Sequence, residues 1–147
     1  MTVRDTDNKR PPFTIELDVR DYELDMQGVV NNAVYQHYLE HARHRFLIAN
    51  GLDFAEITRA GIDLVVTRIE LDYLAPLRSR DRIMVTVEME RVSRIRFGFR
   101  QTITRLSDAK PVMRALIIGT AVDGNGRPKL SKELEQVLSF ASTSHAS

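Results

Sequence analysis

The chain carries the stretch DMQGVVNNAVYQHYLEHARHRF between Asp25 and Phe46, in which a turn-forming segment passes into a helical pattern. Apolar side chains recur there with the period of one helix face, at Tyr35, Tyr38, Leu39, Ala42 and Phe46. Asn31 and Asn32 are good N-caps, since their side-chain oxygens accept from free N–H groups of a first turn, and Gly51 suits a left-handed stop. The stretch predicts a helix from about Asn32 to Asn50.

The flanking sequence changes to the period of two that is typical of half-buried strands. It predicts one strand before the helix and four after it, at Phe13–Val19, Leu64–Tyr73, Arg82–Val92, Ile95–Arg105 and Val112–Val122. A short helix near Asp53–Ala60 and a closing helix at Ser131–Ser139 complete the pattern. The consecutive strands can pair by hairpins, so we predict an α+β fold in which a curved antiparallel sheet wraps one long helix.

The composition is that of one compact domain. We assign residues 13–140 to this domain and expect flexible ends at residues 1–12 and 141–147. No cysteine is present, which excludes disulfides, zinc-thiolate sites and a thiol nucleophile. The net charge of +1, from 21 basic and 20 acidic side chains, gives no bulk attraction to nucleic acid or membrane. The polar N-terminus has no apolar segment, so we expect a cytoplasmic protein.

The segment Asp25-x-x-Gly28, followed by a helix with tyrosines, resembles the signature of the 4-hydroxybenzoyl-CoA thioesterase family. Tyr73-Leu-Ala-Pro76-Leu-Arg-Ser-Arg-Asp81 resembles the second landmark of that family, a strand that ends in proline before an acidic residue. The resemblance covers about Phe13–Val122 and implies the hotdog fold, with five strands around one helix. The two landmarks in this order are a fairly specific combination.

Within the family, the motif is most similar to plant acyl-lipid thioesterases, which act on fatty acyl groups on acyl carrier protein. The similarity lies in the opening from Val19 to Asp25 and in the pair Asn31-Asn32. Many bacterial acyl-CoA members have an aromatic residue and then His or Tyr in place of this pair. The resemblance therefore implies an acyl-thioester hydrolase and leaves the carrier open between acyl carrier protein and CoA.

Asp25 is the candidate catalytic carboxylate. It can attack the thioester carbonyl and form a mixed anhydride, or it can take a proton from an attacking water. An ordinary turn aspartate is the alternative interpretation. Gly28 permits a backbone conformation or a close approach to substrate, and the resemblance implies that the Asn32 N–H binds the developing oxyanion at the helix start.

Arg43 is a further candidate catalytic residue, with a solvated helix arginine as the alternative interpretation, and arginines near the start of the fourth strand are candidates for substrate contact. Arg43 lies about three helical turns after Asn32 and matches an arginine implicated in the enediyne-biosynthesis branch of the family, where asparagine replaces the catalytic aspartate. Arg94 and Arg96, with Arg100 on the same strand face, are candidates for gripping CoA phosphates or an acidic carrier protein. A solvated strand face explains these arginines equally well.

Hotdog relatives build their sites between two subunits, so the resemblance implies a homodimer or homotetramer. We expect Val65 and Val66 to form part of the acyl wall supplied by the partner. His37, His41 and His44 have helical spacing but no zinc motif, so neither a metal nor a cofactor is expected. A non-catalytic protein that binds acyl-CoA or acyl carriers is the alternative function, and an aromatic acyl group is the alternative substrate.

Overall fold

The computed structural model describes residues 11–146, apart from the side chains of residue 54 and residues 140–146. The elements are β1 (Phe13–Asp18), a single 3-10 turn (Asp21–Glu23), α1 (Asn32–Ala49), α2 (Phe54–Arg59), β2 (Asp63–Tyr73), β3 (Arg82–Arg91), β4 (Arg96–Arg105), β5 (Lys110–Val122) and α3 (Lys132–Ala146). All five predicted strands and the long helix are confirmed. The predicted flexible N-terminus lies almost entirely outside the described residues.

The five strands form one antiparallel sheet in the order β1-β3-β4-β5-β2. Burial alternates along β3, where Ile83, Val85, Val87 and Met89 point into the core. The buried face of α1 supplies the other half of this core through Tyr35, Tyr38, Leu39, Ala42 and Leu47. This arrangement is the hotdog fold that the sequence predicts, and it leaves β1 and β2 at the edges of the sheet.

The closing helix α3 is longer than predicted. It begins after Ser131, whose Oγ accepts from the Leu134 N–H at 3.1 Å, and it continues to Ala146. Neither glycine nor proline interrupts this segment, so nothing in the sequence forces an end at Ser139. Leu134 and Leu138 are buried, and an ion pair between Glu135 and Arg91 ties α3 to the end of β3. α3 thus extends into the segment predicted as a flexible tail, and the flexibility of that segment stays a prediction.

The turn between β3 and β4 corrects one prediction. Arg94 lies in this turn, before β4 begins at Arg96, so it does not share a strand face with Arg96 and Arg100. The cause is local, because the Arg91 guanidinium donates to the carbonyls of Ser93 and Arg94 and the Ser93 Oγ accepts from the Arg96 N–H. These bonds stabilise the turn and keep Arg94 out of β4.

Within residues 11–146, no helix is long and apolar enough to cross a membrane.

Candidate active site

Asp25 is exposed and is held by a tight turn that precedes α1. Its N–H donates to the Val29 carbonyl at 2.8 Å, and its carbonyl accepts from the Gly28 N–H at 3.1 Å. Its Oδ1 accepts from the N–H groups of Gln27, at 2.8 Å, and Val29, at 3.4 Å. No donor in the described part of the chain bonds Oδ2. One oxygen thus anchors the carboxylate while the other remains available for chemistry.

Gly28 makes this turn possible. Its φ is +80°, in the left-handed region where a side chain is disfavoured. A Cβ built at this position would meet no described atom within 4 Å, so within one chain the glycine is required by backbone conformation and not by crowding. Its predicted contact with substrate stays a prediction.

The start of α1 carries main-chain N–H groups that have no partner within the helix. Asn31 is the N-cap, and its Oδ1 accepts from the Ala33 N–H at 3.0 Å while its carbonyl accepts from the Val34 N–H at 2.9 Å. The N–H of Asn32 has no acceptor among residues 11–146. It therefore remains available to an anionic or carbonyl oxygen at the positive end of the helix dipole.

The two landmarks of the sequence meet in space. Leu77, in the loop after β2, is fully buried; its carbonyl accepts from the Val30 N–H at 2.9 Å and its N–H donates to the Tyr35 hydroxyl at 3.3 Å. The Arg105 guanidinium braces the same loop by donating to the Pro76 carbonyl at 2.9 Å. Burial raises the pKa of the Tyr35 hydroxyl, so this hydroxyl stays protonated at neutral pH. Through the bond between Val30 and Leu77, this loop fixes the position of the Asp25 turn.

Arg43, Val65 and Val66 come together in a separate cavity of about 120 Å³ between α1 and the sheet. The remaining lining is mainly apolar, with Leu47, Leu64, Phe97, Phe99 and Ile117, and it also includes Glu40 and His44. Burial lowers the pKa of Arg43, although a guanidinium with such a high intrinsic pKa stays charged. Its Nη1 donates to the Gln101 Oε1 at 3.1 Å. Gln101 is a site residue that the sequence analysis did not single out.

Arg94 and Arg96 lie far from the Asp25 turn within one chain. Tyr73, whose hydroxyl donates to the Asn32 carbonyl at 3.3 Å, pairs with Met113 on β5, whereas Arg96 pairs with Thr120. Met113 and Thr120 are seven residues apart on β5, which is a distance of about 23 Å at roughly 3.3 Å per residue. The described structure therefore places the predicted anion grip and the predicted catalytic turn at opposite ends of the sheet.

The histidines of α1 are not gathered into a cluster of possible metal ligands within the described residues. His37, His41 and His44 are exposed, and no cluster of metal-ligating side chains occurs within residues 11–146. His37 and His41 border a second cavity of about 250 Å³, together with Tyr38, whose hydroxyl donates to Glu23 at 2.8 Å.

The sequence model of the thioesterase-like superfamily matches residues 19–139. The chain belongs to this superfamily. The match covers the Asp25 turn, α1 and all of β2 to β5, and so includes every candidate site residue.

Among relatives of this thioesterase-like chain is the acyl-acyl carrier protein thioesterase ATL2 of Arabidopsis thaliana, which is 44% identical over 78% of the chain and 61% of the plant protein. The long-chain acyl-CoA thioesterase FadM of Escherichia coli is 31% identical over 82% of the chain and 90% of its own length. The chain thus spans about three fifths of the plant relative and most of the bacterial one.

Solved structures support the same fold. A hypothetical protein from Aquifex aeolicus is 30% identical, with a TM-score of 0.80 over 86% of this chain and 99% of its own. A 1,4-dihydroxy-2-naphthoyl-CoA thioesterase from Synechocystis has a TM-score of 0.82 at 21% identity, over 88% of this chain and 96% of its own. At that identity the second likeness concerns the fold alone.

Proposed function

We propose that this protein is an acyl-thioester hydrolase that releases a carboxylic acid from a fatty or polyketide-like acyl group on acyl carrier protein or CoA. The observation that carries the proposal is the Asp25 turn, which anchors one carboxylate oxygen, leaves the other available and precedes a helix whose Asn32 N–H has no described acceptor. Relatives named as thioesterases for both carriers support it.

In this proposal the thioester carbonyl oxygen accepts from the Asn32 N–H, which stabilises the negative charge of the tetrahedral intermediate. Asp25 Oδ2 either takes a proton from the attacking water or attacks the carbonyl carbon itself. In both routes a C–O bond forms, the C–S bond breaks and the thiolate leaves, to be protonated as the free thiol. In the second route water then cleaves the mixed anhydride.

The discriminating experiment is thiol release measured with Ellman's reagent across acyl-CoA and acyl-carrier-protein substrates. The panel covers short, medium and long aliphatic chains and an aromatic acyl group. Turnover with any member supports hydrolysis, and the preferred carrier and acyl group identify the substrate class. Tight acyl-CoA binding with no thiol release across the whole panel would instead support the non-catalytic binding protein.

The exposed edge strand β2 supports a homodimer or homotetramer. Apolar side chains along it are exposed, with Val65 at 40%, Val66 at 48% and Ile69 at 43%, and a sheet edge with unpaired main-chain groups is a natural place for a second copy. We expect a dimer or larger assembly by light scattering at micromolar concentration. Ile69→Lys should shift it toward the monomer, because a charge would be buried at the contact. A wild-type monomer at that concentration contradicts the proposal.

Arg94 and Arg96 remain the proposed grip on the carrier's phosphates or acidic surface. From the rise of a β-strand, these two arginines lie about 23 Å from Asn32 along the sheet of one chain. They would therefore contribute to a site that includes the partner subunit. Replacing both with alanine should raise KM severalfold with little change in kcat, because the contact is equal in ground and transition states. Added salt should weaken the wild type in the same way.

The matched control is Arg78→Ala with Arg80→Ala, which removes the same charge from the exposed loop beside the Asp25 turn. An unchanged KM in the Arg94 and Arg96 variant, toward both carriers, would show that these two arginines are solvated surface residues without a role in binding. A raised KM only in the control variant would show that the loop arginines bind the anionic carrier instead.

The cytoplasm is the proposed compartment, supported by the absence of cysteine and testable by cell fractionation.

A further inference from the structure

Arg43 is a charged side chain in a cavity whose lining is mainly apolar, with Glu40 and His44 as the other polar side chains. The cavity suits an alkyl chain, since Leu64, Val65, Phe97, Phe99 and Ile117 line it. A guanidinium there loses part of its hydration, and burial lowers its pKa. A cavity built for plain hydrocarbon alone would be expected to carry another apolar side chain at this position.

The guanidinium has few protein partners. One nitrogen donates to the Gln101 Oε1, and the carbon Cζ lies 6.0 Å from the centre of the Phe99 ring. No carboxylate of the described residues forms an ion pair with it; Glu40, which also borders the cavity, attracts it only from beyond that range. A guanidinium carries five N–H donors, so most of them lack a protein acceptor in the described structure.

Gln101 holds Arg43 at the cavity. It is only 2% exposed and lies on the inward face of β4, between Phe99 and Ile103. Its Nε2 donates to the Leu39 carbonyl at 3.0 Å, which orients the amide so that Oε1 faces Arg43. Without this partner, a long arginine side chain would be free to extend toward solvent. Gln101 is thus a positioning residue that keeps N–H donors beside the hydrocarbon-lined space.

The cavity lies far along α1 from the proposed thioester position. Asn32 contacts Tyr73, at the end of β2, through the Tyr73 hydroxyl, whereas Arg43 borders the same cavity as Val65, near the start of β2. Eleven residues of helix separate Asn32 from Arg43, or about 16 Å of rise. A thioester carbonyl at the Asn32 N–H would therefore bring the distal part of its acyl chain to Arg43.

We propose that Arg43, positioned by Gln101, is a specificity-determining residue that binds an oxygen acceptor on the distal part of the acyl group, a hydroxyl or a carboxylate. The inference rests on the proposed thioester hydrolysis, whose substrate class it narrows to distally oxygenated acyl groups. A plain alkyl chain would displace water from the guanidinium and offer no acceptor in return. This penalty should weaken binding about tenfold or more.

The test uses CoA thioethers, which cannot be hydrolysed, so that binding is measured apart from turnover. Calorimetry compares dodecyl-CoA with its ω-hydroxy and ω-carboxy analogues. The wild type should bind at least one oxygenated analogue about tenfold more tightly than dodecyl-CoA. Arg43→Met should reduce this preference to near unity, while Arg45→Met, at an exposed position of the same helix, should retain it.

Gln101 variants distinguish whether Arg43 binds a hydroxyl or a carboxylate of the acyl group. Gln101→Met, which keeps the size of the side chain, should weaken the preference severalfold. Gln101→Glu should abolish the preference for a carboxylate and keep part of the preference for a hydroxyl, because the new carboxylate neutralises Arg43. Thermal unfolding confirms that each variant is folded.

Equal wild-type affinity for all three thioethers, or an undiminished preference in Arg43→Met, overturns the inference. Thiol release from dodecanoyl-CoA and from its ω-hydroxy analogue is measured separately. Loss of all thiol release with an intact binding preference would reject the proposed hydrolysis and keep the acceptor site. Normal thiol release without a binding preference for the oxygenated thioethers would support the proposed hydrolysis and reject the acceptor site.

Discussion

We expect Asp25→Asn to lower turnover by about 10² or more while the protein keeps its fold and its acyl binding. The amide is neither a strong base nor a carboxylate nucleophile, so both proposed routes lose their reacting atom. Its Oδ1 can still accept from the Gln27 N–H, which preserves the turn. The measurement is kcat for thiol release under conditions where chemistry limits the rate, with affinity for a CoA thioether measured in parallel.

Asp53→Asn is the matched control. Asp53 caps α2 and accepts from the Ala55 N–H at 2.8 Å, the distance between Asp25 Oδ1 and the Gln27 N–H, but it lies outside the described site. Its variant should keep full activity, so a loss specific to Asp25 cannot be attributed to a weakened turn. Near-wild-type thiol release in Asp25→Asn would show that Asp25 is not the catalytic carboxylate.

Residual activity in Asp25→Asn has a further test. In the enediyne branch that the sequence resembles, asparagine occupies this position and an arginine at the position of Arg43 is implicated instead. Since both residues occur in this chain, the double variant Asp25→Asn with Arg43→Ala shows whether Arg43 supports the activity that remains. A double variant no slower than the single one would exclude a catalytic contribution from Arg43 in the asparagine background.

The fold was predictable because periodicity reports directly on burial. The apolar stripe of α1 and the alternation along β3 each determine which side chains face the core. The order of the strands in the sheet was not predictable, because β1 pairs with β3 and β2 pairs with β5 across long stretches of chain. Alternation identifies the face of a strand but not its neighbour.

The candidate site was predictable only in part. Asp25 and Asn32 belong to a short local motif whose turn and cap follow from nearby residues. Gln101 belongs to no motif, and its Nε2 donates to a main-chain carbonyl 62 positions earlier in the chain. A signal was nevertheless present, because strict alternation places this glutamine on the same inward face as Phe99 and Ile103. A polar side chain at a core position needs partners, which only the three-dimensional structure identifies.

Asn32→Pro should remove the proposed oxyanion donor without breaking the helix, and we expect it to lower kcat by about 10²–10³. Asn32 is the first residue of α1, where proline is tolerated because its N–H has no partner within the helix. The preceding Asn31 has φ −62° and ψ 139°, a conformation that a following proline favours. Stability, measured by thermal unfolding, should therefore change little.

Asn32→Ala separates the main-chain N–H from the side chain. The N-cap is Asn31, not Asn32, so alanine keeps the donor and leaves the cap bond to Ala33 in place. We expect this variant to keep turnover close to the wild type. A folded Asn32→Pro variant with turnover within a fewfold of wild type would exclude this N–H as the oxyanion donor. If instead both Asn32 variants lose activity equally, the side chain is the group that matters. Because nucleophilic and general-base routes develop the same charge on the carbonyl oxygen, the result bears on the oxyanion donor whichever role Asp25 has.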